Sequence, residues 1–398
     1  MSTRIRIRVR MSARPIDEPH RAASQLELLF DLVFVVAVAA ATAQLAHRMA
    51  DGHALTGVAG FLQVFFAIWW AWMNFTWFAS SYDTDDVAYR LLTMVQMAGV
   101  LVLAAGVPAT AVADYRAVGV GYLVMRIGLV AQWLRAGVED PARRRTAFRY
   151  ATGITVLQVG WLGWLVLSET EVLSPVTRPL CFLALVAGEL GVPRWAERIR
   201  ATTWHPHHIA ERYGLFTIIL LGESVLAAIT GVRGALAAAE VSASFITIAV
   251  SGLVLLFALW WLYFLEPAGD GLRDRRAGSY LWGYGHYGIF AALAALGASL
   301  EVAVEDTGHH LPASPLVISY AVGASVGVFL QLLWLAHVPI VARTVLRPGA
   351  ALGCATVVFL LPLAAPWTGV AVVVAGIAAA CALLVAFTIS LERKGNPS

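Results

Sequence analysis

The chain has 398 residues, 59% of them hydrophobic and 13% charged, with mean hydropathy +0.73. A soluble globular domain carries about 25% charged residues, so the composition excludes one and predicts an all-α, polytopic membrane protein. The isoelectric point of 8.8 is not a nucleic-acid signal, because the positive charge is distributed by topology: one lysine, Lys394, and 27 arginines.

Twelve apolar stretches reach or approach the length of about 20 residues that a bilayer core needs. Residues 1–27 form an Arg-rich segment ahead of the first span, 28–46. That start superficially resembles a signal peptide, but Glu27 and Asp31 interrupt the apolar run and eleven spans follow. Glu27 and Asp31 stand four residues apart and share a helical face, where their like charges repel unless a proton or a cation lies between them. The second span, 55–78, closes on Trp69, Trp70, Trp72 and Trp77, read as a wall for a substrate or as an interfacial aromatic belt.

Asp83-Thr84-Asp85-Asp86 opens the third span, 91–112. Acids there complement a helix N-terminus. Asp83, Asp86 and Arg90 also fall at the spacing of one helical face. The string has the Asp-x-Asp-Asp form of class II terpene cyclases, whose middle Asp (here Asp85) donates the initiating proton.

Spans 117–134, 150–168 and 176–193 complete a first half, 28–193. A cytoplasmic Arg/His-rich connector, 194–212, carries His208, Glu211 and Arg212, read as one helical face. The second half, 213–390, holds spans at 213–231, 243–265, 280–300, 316–337, 351–364 and 367–389, the last two as a hairpin, before a tail at 391–398. Tyr213, the mid-span Glu223, Trp282 and His286 are its candidate functional residues. A lone carboxyl such as Glu223 must be protonated, paired or facing water. His286 is read as a relay residue or as a satisfied packing histidine.

With the N-terminus inside, 23 of the 28 cationic residues fall on the inner side. Arg48, Arg116, Arg178 and Arg233 fall outside, and Arg126 lies within a span. The positive-inside rule therefore predicts a cell-membrane protein with both termini cytoplasmic. The pairs Trp69-Trp70 and Trp260-Trp261, Gln96 and His286, Glu27 and Glu211, and Tyr122 and Tyr320 recur at offsets of 184 to 198 residues. This predicts two parallel six-helix repeats, with a site where Glu27 or Asp31 meets Arg212 or His208. Cys181, Cys354 and Cys381 lack Cys-x-x-Cys spacing. His205, His207 and His208 lack His-Glu-x-x-His spacing, and phosphate-loop and dinucleotide fingerprints are absent. No metal or cofactor is expected.

The strings Glu27-Leu-Leu-Phe-Asp31-Leu-Val-Phe-Val35 and His208-Ile-Ala-Glu211-Arg212, continuing to Gly222-Glu223-Ser224, resemble the bacterial low-temperature-requirement A family over roughly residues 24–390. The Trp-rich end of span two, followed by Asp83 to Arg90, fits the same pattern. The resemblance implies a polytopic membrane protein and leaves the reaction open. The residues favour a membrane-embedded enzyme on a lipophilic substrate, with acid-initiated isoprenoid cyclisation the most concrete form. Proton-coupled transport of a small solute is the alternative, and a structural or stress-related membrane protein a third reading.

Overall fold

The computed structural model describes residues 7–16, 18, 21–237, 242–308, 310–341 and 345–395, without the side chains of 226–228, 230–237 and 392–395. Arg4, Arg6 and Arg343, and the side chains of Arg233, Arg393 and Lys394, therefore lie outside the described residues. Among the described residues every regular element is helical, with no strand. The order is α1 (Gln25–Ala50), α2 (Ala54–Tyr82), α3 (Val87–Gly106), α4 (Arg116–Glu139), α5 (Arg144–Glu169), α6 (Thr177–Glu197) and α7 (Pro206–Ala237). There follow α8 (Ala243–Phe264), a short α9 (Ala268–Asp274), α10 (Ser279–Glu305), α11 (Pro315–His337), α12 (Pro348–Leu360), a single turn α13 (Ala365–Thr368) and α14 (Val370–Gly395).

Twelve of these are long and coincide with the twelve expected spans. Among the described residues, ten stretches are long and apolar enough to cross a membrane; α12 counts together with α13, and α6 and α7 are not among them. α6 carries Arg178, Glu189 and Arg194 within its 21 residues. The chain is thus a multi-pass membrane protein: apolar helices satisfy their own backbone groups, which hydrocarbon cannot do.

Helix starts follow local chemistry. At α1, Ser24 Oγ accepts from the Glu27 amide at 3.3 Å and Glu27 Oε2 accepts from the Ser24 amide at 2.7 Å, a reciprocal capping box. Asp86 caps α3 through the Tyr89 amide, and Ser242 and Ser314 cap α8 and α11. The cysteines are unlinked.

The chain divides into two compact units, 1–40 with 66–209, and 41–65 with 210–398. In the first, α3 packs along α4, α4 along α5 and α5 along α6. In the second, α10 packs along α11, α11 along α12 and α8 along α14. The α3–α4 contact is the tightest in the first unit. A Cβ on Gly99 would lie 2.7 Å from the Gly121 carbonyl, and one on Gly121 would lie 2.6 Å from the Gly99 carbonyl. Small residues let two membrane helices approach this closely. A buried polar chain crosses the same seam, with Gln96 donating to Gln132 at 2.9 Å and Gln132 to Thr93 at 3.1 Å.

Gly121→Val should push α3 and α4 apart and destabilise the protein by about 1–3 kcal/mol, the range for overpacking. A thermal melt in detergent showing Gly121→Val and wild type unfolding together would refute the close seam.

Candidate functional site

The buried charges of the first unit converge where α1 begins, α2 ends and the stretch before α7 passes by. Glu27 is wholly buried. With Oε2 engaged on the Ser24 amide, its Oε1 faces His208 Nε2 at 3.0 Å and Arg21 Nη2 at 3.6 Å. His208 is wholly buried too. Arg21 also reaches Asp83 Oδ2 at 3.4 Å and the Ala79 carbonyl at 3.4 Å, so it bridges two carboxyls. Burial first, then the neighbouring Glu27, pushes the Asp83 carboxyl up to about 6 against the pull of Arg21 and Arg14. One turn deeper, Asp31 accepts the Trp72 indole N–H at 2.7 Å. The repulsion expected between Glu27 and Asp31 is thus met by different neighbours: cations and an imidazole at one, an indole donor at the other.

Residues 83–86 link α2 to α3, and the three acids among them have separate tasks. Asp83 Oδ1 accepts from the Asp85 amide at 3.1 Å, and Asp85 takes the left-handed conformation (φ 49) that Asp tolerates. Asp86 is the α3 cap. Burial would raise its carboxyl, but Arg135 and the Val9 and Tyr89 amides hold it down to about 2.

Several expected site residues stand elsewhere. Asp83, Asp86 and Arg90 do not form one inward face, because α3 starts only at Val87. Arg90 instead turns to the surface and forks onto Asp85 at 2.7 and 2.9 Å, with the Asp85 side chain 49% exposed. Asp85 therefore does not face an aromatic wall.

The tryptophans lie deeper: Trp72 is eleven residues before Asp83, about 16 Å along the helix. Trp69, Trp70 and Trp72 are buried, and Trp77 packs against Trp204 at 4.9 Å. Other rings of the first unit pack on one another. Phe30 stacks on Phe75 at 3.9 Å, Phe78 lies 5.5 Å from Tyr82, and Trp133 meets both Phe78 and Tyr82.

Glu211 is exposed while His208 and Arg212 are buried. The buried stripe of α7 runs through Ile209, Tyr213, Phe216 and Leu220, and at about 100° per residue Glu211 falls on the opposite side of the helix.

In the second unit, His286 is caged by Tyr213, Trp282 and Phe290, with ring distances of 4.8, 4.3 and 5.3 Å. Its Nδ1 donates to the Trp282 carbonyl at 2.7 Å, leaving Nε2 to accept from the Tyr263 hydroxyl at 3.1 Å. Both ring nitrogens of His286 therefore have partners. Glu223 is half-buried and has charged company: Glu301 of α10 is within Coulombic reach of Glu223, His47 and Glu305.

A second buried centre lies between α2, α4, α5 and α6. Glu189 and Arg126 are each 1% exposed, with Arg126 Nη2 2.6 Å from Glu189 Oε1. Glu189 also accepts from Trp70 Nε1 at 2.8 Å, Trp161 Nε1 at 3.1 Å and the Tyr122 hydroxyl at 3.2 Å. Arg126 lies over the Tyr122 ring at 4.7 Å. Sequence reasoning counted Arg126 only as an in-span charge and passed over Glu189. The signal available was an acid and a base within two apolar spans, which marks a functional or pairing position.

The model of the family described as bacterial low temperature requirement A protein (LtrA) matches residues 22–388, nearly the whole chain. The chain belongs to this family. It is also 30% identical over 289 residues to an uncharacterized protein of Rhizobium meliloti (strain 1021), covering 68% of this chain and 67% of that one. The LtrA match includes Glu27, Asp83, Glu189 and His208 and begins one residue after Arg21.

In this LtrA protein, Glu189→Ala alone should cost about 3–5 kcal/mol by leaving Arg126 as an uncompensated buried charge. The double change Arg126→Met, Glu189→Leu should recover much of that loss. Melts of the two singles and the double in detergent check this; additive losses would show the pair to be uncoupled.

Proposed function

We propose that this LtrA protein is a membrane-embedded acid–base enzyme acting on a lipophilic, alkene-bearing substrate, most concretely in acid-initiated isoprenoid cyclisation. The observation that carries this reading is Asp83: a carboxyl whose side chain is buried, 3.4 Å from an Arg21 guanidinium that it shares with Glu27, and pushed up to about 6 by burial and then by Glu27. A general acid works best when its pKa lies near the working pH. Asp85, the middle residue of the Asp-x-Asp-Asp string, is exposed and paired with Arg90, so the acid role passes to Asp83.

In the step envisaged, Asp83 gives its proton to one carbon of a substrate double bond, and the other carbon becomes a tertiary cation. A second double bond of the same molecule attacks that cation and closes a ring. Loss of a proton from the carbon beside the final cation restores an alkene, so the product is an isomer and no cofactor is consumed. Glu27 and His208, 3.0 Å apart, form the pair that returns a proton to Asp83. The arginine distribution supports a site opening toward the cytoplasm, with both termini on that side.

Proton-coupled transport of a small solute is the second reading. It is favoured by the Glu223, Glu301 and His47 group, since a carrier needs polar residues beyond a single site. The mid-span Arg126–Glu189 centre suits it as well.

Under the enzyme reading, Asp83→Asn should lower turnover of linear polyprenes in membranes by at least about 100-fold, the scale of general acid catalysis. Asp85→Asn should leave turnover within about threefold, as expected of an exposed ion pair. The wild-type rate should fall as pH rises through about 6, because only the protonated Asp83 is competent. Equal losses in the two variants would sink the assignment of the acid. Proton flux in pH-jumped vesicles that depends on Glu223, with no polyprene product, would establish transport instead.

A further inference from the structure

The segment ahead of α1 is bound to the first unit by its backbone. Residues 8–15 are non-helical and run across the α2–α3 turn and the end of α4. Val9 is held on both edges: its N–H donates to Asp86 Oδ2 at 2.9 Å, and its carbonyl accepts from Arg135 Nη2 at 2.7 Å. Arg135 in turn forks onto both Asp86 oxygens at 2.8 and 2.6 Å. Two residues on, the Met11 amide donates to Glu139 Oε2 at 2.6 Å, Arg10 Nε donates to the Glu139 carbonyl at 2.8 Å, and the Met11 side chain is wholly buried.

Past this latch the chain turns onto the acids. The Arg14 amide donates to the Ser81 carbonyl at 2.9 Å, and the Arg14 guanidinium to the Asp83 carbonyl at 3.3 Å. Arg21 then lies between Asp83 and Glu27.

We propose that residues 7–16 are a strap that covers the Asp83–Glu27–His208 cluster and is latched by Asp86, Arg135 and Glu139, so that its release opens the cluster to solution. This rests on the reading of that cluster as the working site. The attachment is mostly polar. Met11 is the wholly buried apolar anchor, whereas Ile7 is 80% exposed and Ile16 41%. A segment held by a few hydrogen bonds and one apolar side chain opens at much lower free energy than the helices it crosses. The latch carboxylates, Asp86 and Glu139, are separate from the acids they guard.

The test uses the full-length protein in lipid nanodiscs, with diethyl pyrocarbonate modification of histidines read by mass spectrometry. Arg135→Gln and deletion of residues 2–11 should each raise the rate at His208 by about fivefold or more, the change expected when a local cover opens freely. His286, caged within the second unit, should react as in wild type. Wild-type rates at His208 in both variants, with unchanged melting, would overturn the strap.

Hydrogen exchange on the wild-type protein supplies a second arm that needs no variant. The Val9 and Met11 amides should exchange faster than the α3 amides flanking Thr93; exchange as slow as α3 would show that the segment does not open. Both readouts are independent of catalysis, so an opened strap with unchanged polyprene turnover would count against the proposed activity and not against the strap.

Discussion

A charge inside apolar helices must be answered by opposite charge or by several donors, and Glu189 meets that demand in full. One carboxylate, on α6, collects a guanidinium, two indole N–H groups and a phenol, drawn from three other helices. Breaking any of these contacts moves a partial charge into a medium that cannot solvate it. The requirement joins α2, α4, α5 and α6 through one atom group. Around it the helices need only approach closely, which Gly99 and Gly121 allow on the neighbouring α3–α4 seam.

The same demand shapes the end of the first unit where Glu27, Asp83, Arg21 and His208 gather. Here it is met less completely. Burial, and then the neighbouring Glu27, pushes the Asp83 carboxyl up to about 6 against the pull of Arg21 and Arg14, while Asp86, three residues on, is held down to about 2 by Arg135 and the Val9 and Tyr89 amides. Two acids of one short string are thereby set apart by environment alone. A pair of acids with divergent proton affinities is the physical condition for one to give protons while the other serves as a fixed anion. In this chain the fixed anion is a helix cap and anchors the strap, and the titrating acid lies under it.

Much of the architecture was legible in the residues. Hydrocarbon forces each crossing segment into an uninterrupted apolar helix, so the spans and their order could be counted along the chain. The strings around Glu27 and from His208 to Glu223 were enough to suggest the LtrA family, which the match over residues 22–388 establishes. The site was legible only in part. Helical spacing correctly set Glu27 and Asp31 together on α1, but it carried Arg90 inward by extending α3 back through Asp83 and Asp86. The turn at Asp85, with its positive φ, breaks that periodicity. Spacing also set Glu211 beside His208 and Arg212, whereas the stripe that α7 buries runs through Ile209, Tyr213, Phe216 and Leu220 and leaves Glu211 outside it.

What the sequence by itself determined were the properties that a solvent imposes segment by segment: helical class, number of long helices and family. The tertiary structure alone decided which ionisable groups meet. It set His208 on Glu27 across 181 positions of chain and Glu189 on Arg126 across 63. It also turned Asp85 outward and Asp83 inward within a single turn. The reason is that apolar periodicity points a side chain toward a core without naming its neighbour, whereas a buried charge is governed by whichever donor or acid the packing brings within about 3 Å.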